Sequence, residues 1–375
     1  MGVPENRHSG LTEGWANAER WQMDLLPRAT FRCVLDWPVS VIPTSAPQTT
    51  RVLTRADVEQ VLDLPSCIDA VEDALRAAAQ DRARSAILGV HARDGGLHAK
   101  AAYLEENSDT SWLVAKLNSN FPQNPRLNAL PTIQGVLALF DGRDGRLVAL
   151  MDSSALTVLR TAAATGVAAR LLSSPRASSV TIIGCGAQAL AQVRAVACVR
   201  EIRRVISIDA DPSAAESLAS RLRGDLGIDA AARAGQRGVP HESDIIITCT
   251  SSITPILGTP EVRPGTFVAA VGADNGEKSE IEPDLMRSAD VVVDSLEQAS
   301  AIGDLHHAID AGAMTRDDVR GELGALLASS SRSAYDPRRV VIFDSTGVAV
   351  EDVAAAVLAF RRAGETGIGS STQLF

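Results

Sequence analysis

The clearest chemical signal in this 375-residue chain is Gly184-Cys-Gly-Ala-Gln-Ala189, which follows the apolar stretch 180–183 and runs into a helix-forming segment. It is a G-x-G-x-x-G/A pattern in its strand–turn–helix setting. Gly184 permits the tight turn, Gly186 lets a pyrophosphate approach the backbone, and Ala189 is small enough for close helix–strand packing. The N–H groups at the helix start then face the phosphate. Asp209, 25 residues beyond Gly184, ends the next apolar stretch. A carboxylate there accepts hydrogen bonds from both ribose hydroxyls and repels a 2′-phosphate, so the pattern predicts NAD(H) in preference to NADP(H). A glycine turn after a strand also serves packing alone. The helix behind it and the acid at the next strand end favour the dinucleotide reading.

Hydride transfer at the α-carbon of an amino acid needs three things. These are a cation for the carboxylate, a proton carrier for the nitrogen or an attacking water, and a fixed nicotinamide. Lys116, in Val114-Ala-Lys-Leu-Asn118, lies in a β-like run where alternation turns it inward, and an inward ammonium needs a partner. Arg160 is the only charge before Arg170 in the apolar helix 156–172, and its planar fork suits a carboxylate. Asp274 follows the apolar stretch 267–271, at the carboxyl edge where ligands of parallel sheets bind. Taken singly, each also reads as an ordinary surface charge.

The elements that must position these residues form two textures. From 89 to 152, short β-like runs broken by Gly, Asn and Pro predict a mostly antiparallel sheet. Thr54 with Asp57 marks a helix start before it. Asp152-Ser-Ser caps a long Ala-rich helix. Beyond it, apolar stretches at 180–183, 205–208, 244–248, 267–271 and 291–293 alternate with helical segments, which implies a parallel sheet covered on both faces. The predicted fold class is α/β. A Rossmann-type, doubly wound domain spans 173–339. A second, discontinuous domain, mostly an antiparallel sheet with helices, spans 51–172 and 340–375. Residues 1–50, with three of the four tryptophans and no sustained period, read as an irregular extension. The net charge of −10 disfavours nucleic acid or an anionic membrane as partner. Five scattered cysteines without a CxxC pair fit a reducing compartment. No apolar run is expected to approach the ~18 residues of a membrane span, and no secretory signal stands at the start, so a cytoplasmic protein is expected.

Several segments, in order, resemble the ornithine cyclodeaminase/μ-crystallin family over roughly residues 51 to 365. They are KLNSNFPQNPRLNALPT from Lys116, LTVLRTAAATGVAARLL from Leu156, IIGCGAQA from Ile182, AVGADNGEKSE from Ala270 and FDSTGVAVEDVA from Phe343. The resemblance implies that Lys116 contacts the substrate carboxylate or activates a water, that Arg160 holds the carboxylate and that Asp274 exchanges the proton. It places Thr132, Ala187, Gln188, Asp209, Thr250, Lys278 and Ser345 at the cofactor, beside Gly184, Gly186, Val271 and Gly272 of the two sheet-edge turns. Thr346 falls near the substrate. Arg84 matches a second substrate arginine, with Arg82 as a competitor. The family fold pairs a dimerising sheet domain with a Rossmann domain, which implies a homodimer with a small amino-acid or imino-acid substrate.

One departure bears on the substrate. Members that cyclise ornithine or lysine carry a Glu just before a Met-Pro. Here the stretch reads Gly96-Leu-His-Ala-Lys-Ala101, with no acid and an added cation. A diamine would be repelled there, and a neutral, acidic or cyclic-imine substrate fits better. Three activities follow as alternatives: an amino-acid dehydrogenase or imine reductase with net cofactor turnover, a cyclodeaminase that regenerates NAD within its cycle, and a crystallin-like binding protein. The missing Glu favours the first over the second. The retained Lys116, Arg160 and Asp274 disfavour the third. The pair His306-His307 lacks a third ligand at metal spacing, and no metal is expected. Cys185 reads as a filler of the phosphate turn, and Trp112 as core.

Overall fold

A computed structural model describes residues 49–235, 242–329 and 334–374. The proposed extension 1–50 therefore lies, up to residue 48, outside the described residues. Among those described, the strands form two sheets. The first has seven strands in the order Ser370–Gln373, Thr49–Leu53, Leu147–Asp152, Ile133–Asp141, Thr110–Asn120, Gly95–Asn107 and Ala83–Ala92. All its pairings are antiparallel except Thr49–Leu53 with Leu147–Asp152. The second sheet has eight parallel strands, in the order Gly321–Glu322, Asp290–Val293, Val341–Asp344, Phe267–Ala270, Ile245–Thr248, Ser179–Ile183, Arg204–Asp209 and Asp229–Ala234. Successive strands leave Ser179–Ile183 on one side and then resume on its other side at Ile245–Thr248. That reversal is the point where the carboxyl ends of a parallel sheet open a crevice.

Local chemistry explains the key elements. Thr54 and Asp57 form the expected reciprocal cap on Arg55–Val61. The Ser153–Leu172 helix starts where the Asp152 side chain accepts the Ala155 amide at 2.8 Å. Its small residues let other helices come close: a Cβ on Gly166 would stand 2.8 Å from the Ile68 side chain of the Leu64–Ala78 helix. The helix is also long and apolar enough to cross a membrane, which corrects the expectation that no run approaches that length. It is instead core, with 78% of its apolar window buried. Alanines dominate it because tight helix packing, rather than lipid, surrounds it.

A second correction concerns the domain boundary at 340. Val341–Asp344 lies between Phe267–Ala270 and Asp290–Val293 in the parallel sheet, and all four residues are buried. A strand apolar on both faces belongs inside such a sheet. The chain returns to the first lobe only afterwards. There the Ala349–Thr366 helix packs on the Leu64–Ala78 helix and the Gly95–Asn107 strand, and Ser370–Gln373 pairs with Thr49–Leu53.

Candidate active site

The glycine turn has the geometry its sequence requires. Gly184 has φ +94°, and a Cβ there would stand 2.8 Å from the Cys249 carbonyl oxygen. Nothing lies within 4 Å of where a Gly186 Cβ would be, so the backbone at this point is open to a ligand. Asp209 closes the turn from the next strand: one carboxylate oxygen accepts the Cys185 amide at 2.7 Å and the other accepts the Asp211 amide at 2.8 Å. Gly184, Gly186, Asp209 and Thr250 line one cavity of about 590 Å³. Burial, then the Asp209 charge, push the Cys185 thiol up to about 12, which suits a filler and not a nucleophile.

A second cleft, about 450 Å³, meets the first at Cys249 and Thr250. It lies between the two sheets' lobes. The antiparallel side supplies Lys100 and Thr132, the long helix supplies Arg160, and the carboxyl edge of the parallel sheet supplies Asp274, Lys278, Ser345 and Thr346. Ala187, Gln188, Thr250, Val271 and Gly272 complete the residues expected there. The two joined cavities fit a dinucleotide laid across the switch point. Two buried side-chain atoms, Gln188 Oε1 and Ser345 Oγ, have no hydrogen-bond partner among the described residues, and both residues line the cleft. Orphaned polar atoms beside an open glycine backbone are what a polar cofactor would satisfy.

Behind the cleft lies a buried ionic cluster. Lys116 Nζ is 2.8 Å from Asp352 Oδ1 and 3.4 Å from Thr157 Oγ1. Arg160 sets its Nη1 2.8 Å from Glu351 Oε2 and its Nε 2.8 Å from Asp352 Oδ1. Both acids stand in the first turn of the Ala349–Thr366 helix, where the helix dipole favours negative charge. Burial opposes the charge on Arg160, but Asp352 and Glu351 hold its pKa above the ordinary value. Burial lowers Lys116 to about 7 against the pull of Asp352, with Arg160 and Lys100 adding repulsion. Burial likewise raises Glu351 to about 7 against the pull of Arg160. Gly347, at φ +76°, lets the loop pass this cluster: a Cβ there would lie 2.6 Å from Arg160 Nη1.

The proton-transfer candidate, Asp274, stands just beyond the carboxyl end of the Phe267–Ala270 strand. Asp274 is held by Lys278, whose Nζ donates to Asp274 Oδ1 at 2.6 Å. His307 fixes that loop through Nε2, 2.8 Å from the Lys278 carbonyl oxygen, while His306 faces Asp310 at 3.5 Å. The Thr346 hydroxyl is committed to Asp294 at 2.8 Å, and Asp294 also accepts the Thr346 and Gly347 amides. Trp112 is core, edge-on to Phe360.

Two sequence-derived candidates do not line either cavity. Arg84 lies exposed on the edge strand Ala83–Ala92, opposite Tyr103, whereas the cleft lies at the level of Lys100, opposite Ile87. This corrects the reading of Arg84 as a second substrate arginine within one chain. Its competitor Arg82 is occupied by the Glu105 and Glu106 carbonyls. Lys116 is buried one layer behind the cleft, bound to Asp352. Sequence reasoning missed Glu351 and Asp352, although two adjacent acids inside AVEDVAAAV were a usable signal. It also missed Glu280, a buried carboxylate that accepts the Thr250 and Gly272 amides at 2.6 and 2.8 Å and so ties together two strand ends at the crevice.

Comparison with known proteins agrees with this layout. The sequence profile of the ornithine cyclodeaminase/mu-crystallin family matches residues 48–367. An archaeal alanine dehydrogenase, solved as a dimer with bound NAD, has a TM-score of 0.81 at 31% identity, covering 87% of this chain and 100% of that one. The Thermococcus litoralis Delta(1)-pyrroline-2-carboxylate reductase, in complex with NADH and L-proline, gives 0.82 at 28% identity over 86% of this chain and 100% of that one. The iminosuccinate reductase of Paracoccus denitrificans is 34% identical over 280 residues, which make up 74% of this chain and 86% of that protein. With the profile covering both lobes and the cleft between them, the chain belongs to the ornithine cyclodeaminase/mu-crystallin family.

Proposed function

We propose that the protein is an NAD(H)-dependent oxidoreductase that interconverts a small amino acid and its imine, or the corresponding cyclic imino acid, with net turnover of the cofactor. The observation that carries this reading is the single cleft in which Arg160, Asp274 and the glycine-turn cavity meet. Relatives that act on alanine, pyrroline-2-carboxylate and iminosuccinate share the α-carbon chemistry. The bound nicotinamide supplies or accepts the hydride.

The chain's own residues supply the rest. The Gly186 backbone and the start of the Ala189–Val199 helix hold the pyrophosphate, and Asp209 holds the ribose. Arg160, kept charged and oriented by Glu351 and Asp352, receives the α-carboxylate through the guanidinium N–H groups that those two acids leave over. Asp274 takes the proton from the nitrogen during oxidation and returns it during reduction, held in place by Lys278. Lys116, which can lose its proton near neutrality, serves behind Arg160 as a proton reservoir or a partner to a water.

The pair of lobes works as a homodimer in this reading. Leu88, Val90, Leu97, Leu117 and Val136 all lie on the outer face of the first sheet and are exposed. Such a patch is buried most simply by a two-fold copy, as in the dimeric archaeal relative. The free cysteines Cys67, Cys185, Cys198 and Cys249 support a cytoplasmic setting.

A panel of amino and imino acids, with NADH absorbance and ammonia release followed together, tests the activity. Net NADH change with one of them is expected. Ammonia release without net NADH change would replace this reading with the cyclodeaminase one.

A further inference from the structure

Lys100 and Lys116 stand directly opposite each other on Gly95–Asn107 and Thr110–Asn120, on the inner face of the sheet. Like charges in that position repel, and Arg160 adds a third cation to the same corner. The fixed anions do not serve the three equally. Asp352 bridges Lys116 and Arg160, and Glu351 pairs with Arg160. Asp294 is taken up by Thr346 and Gly347. Lys100 alone of the three has no carboxylate within 4.0 Å among the described residues; its Nζ donates to the Gly347 carbonyl oxygen at 2.6 Å. It lines the substrate cleft, as Arg160 does, whereas Lys116 does not. An ammonium carries three donors on a flexible stem, so Lys100 has two left to offer. A cation held in a cleft by one carbonyl is costly until an anion arrives.

Building on the function proposed above, we propose that Lys100 is a specificity-determining residue that receives a second carboxylate, and that the substrate is a dicarboxylic amino or imino acid. Arg160 takes the α-carboxylate and Lys100 the side-chain one, while Asp274 stays with Lys278 and the nitrogen. A monocarboxylate would leave Lys100 without its anion. A diamine would place a fourth cation beside the other three.

The test uses the NADH-loaded full chain and two unreactive probes, succinate and propionate, titrated by cofactor fluorescence. Wild type should bind succinate about 30-fold or more tighter than propionate, the scale of a desolvated charge pair. Lys100→Met should bring that ratio close to one, and Lys100→Arg should restore most of it. A wild-type ratio near one, or a ratio unchanged in Lys100→Met, would overturn the proposal. Turnover of aspartate against alanine, read as kcat/KM from NADH, is a separate arm. If succinate selectivity depends on Lys100 but no amino or imino acid is turned over, the second-carboxylate site stands and the proposed activity falls. Turnover of alanine at least as efficient as that of aspartate would overturn the dicarboxylate assignment and leave the activity intact.

Discussion

Lys116 and Asp352 meet at 2.8 Å although they are 236 residues apart, and both are almost wholly buried. Asp352 also touches Arg160, so one carboxylate neutralises two cations beside the cleft. Removing one partner of such a pair leaves a bare charge in the interior. Asp352→Asn should therefore cost about 3 kcal/mol of stability, measurable by urea denaturation. A loss below about 1 kcal/mol would mean that water or a rearranged Glu351 takes over the role.

The same burial makes stability depend on pH in a defined direction. Folded Lys116 gives up its proton near 7, against 10.5 in its ordinary state. Between those values the unfolded chain binds a proton that the folded chain does not, so the contribution of this residue to stability rises with pH. The stability of wild type relative to Lys116→Met should stay level below pH 7 and climb from there to about 10.5. A flat or falling difference across that window would show that Asp352 keeps the lysine charged.

Asp274 is the residue on which turnover should depend most. Asp274→Asn keeps the side chain's size but cannot carry the proton, so kcat should fall at least about 100-fold with NADH affinity nearly unchanged. Activity within about tenfold of wild type would remove Asp274 from proton transfer.

Cofactor choice rests on Asp209. NADH should bind tighter than NADPH, and Asp209→Ser should narrow the gap by relieving repulsion of the 2′-phosphate. Equal affinities in wild type would mean that the carboxylate serves only the Cys185 and Asp211 amides.

How far the sequence led depended on the range of each signal. The glycine turn, Asp209 and Asp274 were legible because each is tied to a local strand or helix end, and Arg160 because it is the only charge before Arg170 in an apolar helix. The strand Asp229–Ala234 was not, because its residues, DAAARA, lack β-branched side chains, and its place is set by backbone pairing with Arg204–Asp209. Val341–Asp344 was seen as a strand but given to the wrong lobe, since partner choice between sheets is not a local property. The acids Glu351 and Asp352 were visible inside an apolar helix, but their grip on Arg160 and Lys116 was not, since a contact across about two hundred residues leaves no spacing pattern. Arg84 shows the converse error, a match by residue type on a strand whose register places it away from the cleft.

The last prediction concerns diamines. Lys100, Arg160 and Lys116 form a cationic corner whose fixed acids, Glu351 and Asp352, are already paired and buried. Asp274 is bound to Lys278 and needed for the proton. Among the described residues, no carboxylate lining the cleft is then free to hold a distal ammonium, and at an intermediate dielectric the repulsion from Lys100 amounts to several kcal/mol. Ornithine and lysine should be poor substrates, at least about 100-fold below the best amino acid in kcat/KM. Ornithine converted to proline, with ammonia released and NADH unchanged at the end, would show that an acid reaches the distal amine after all. Lys100→Met should then raise that activity further, because it removes the charge nearest to the diamine; a fall instead would place Lys100 on the path of the departing ammonia.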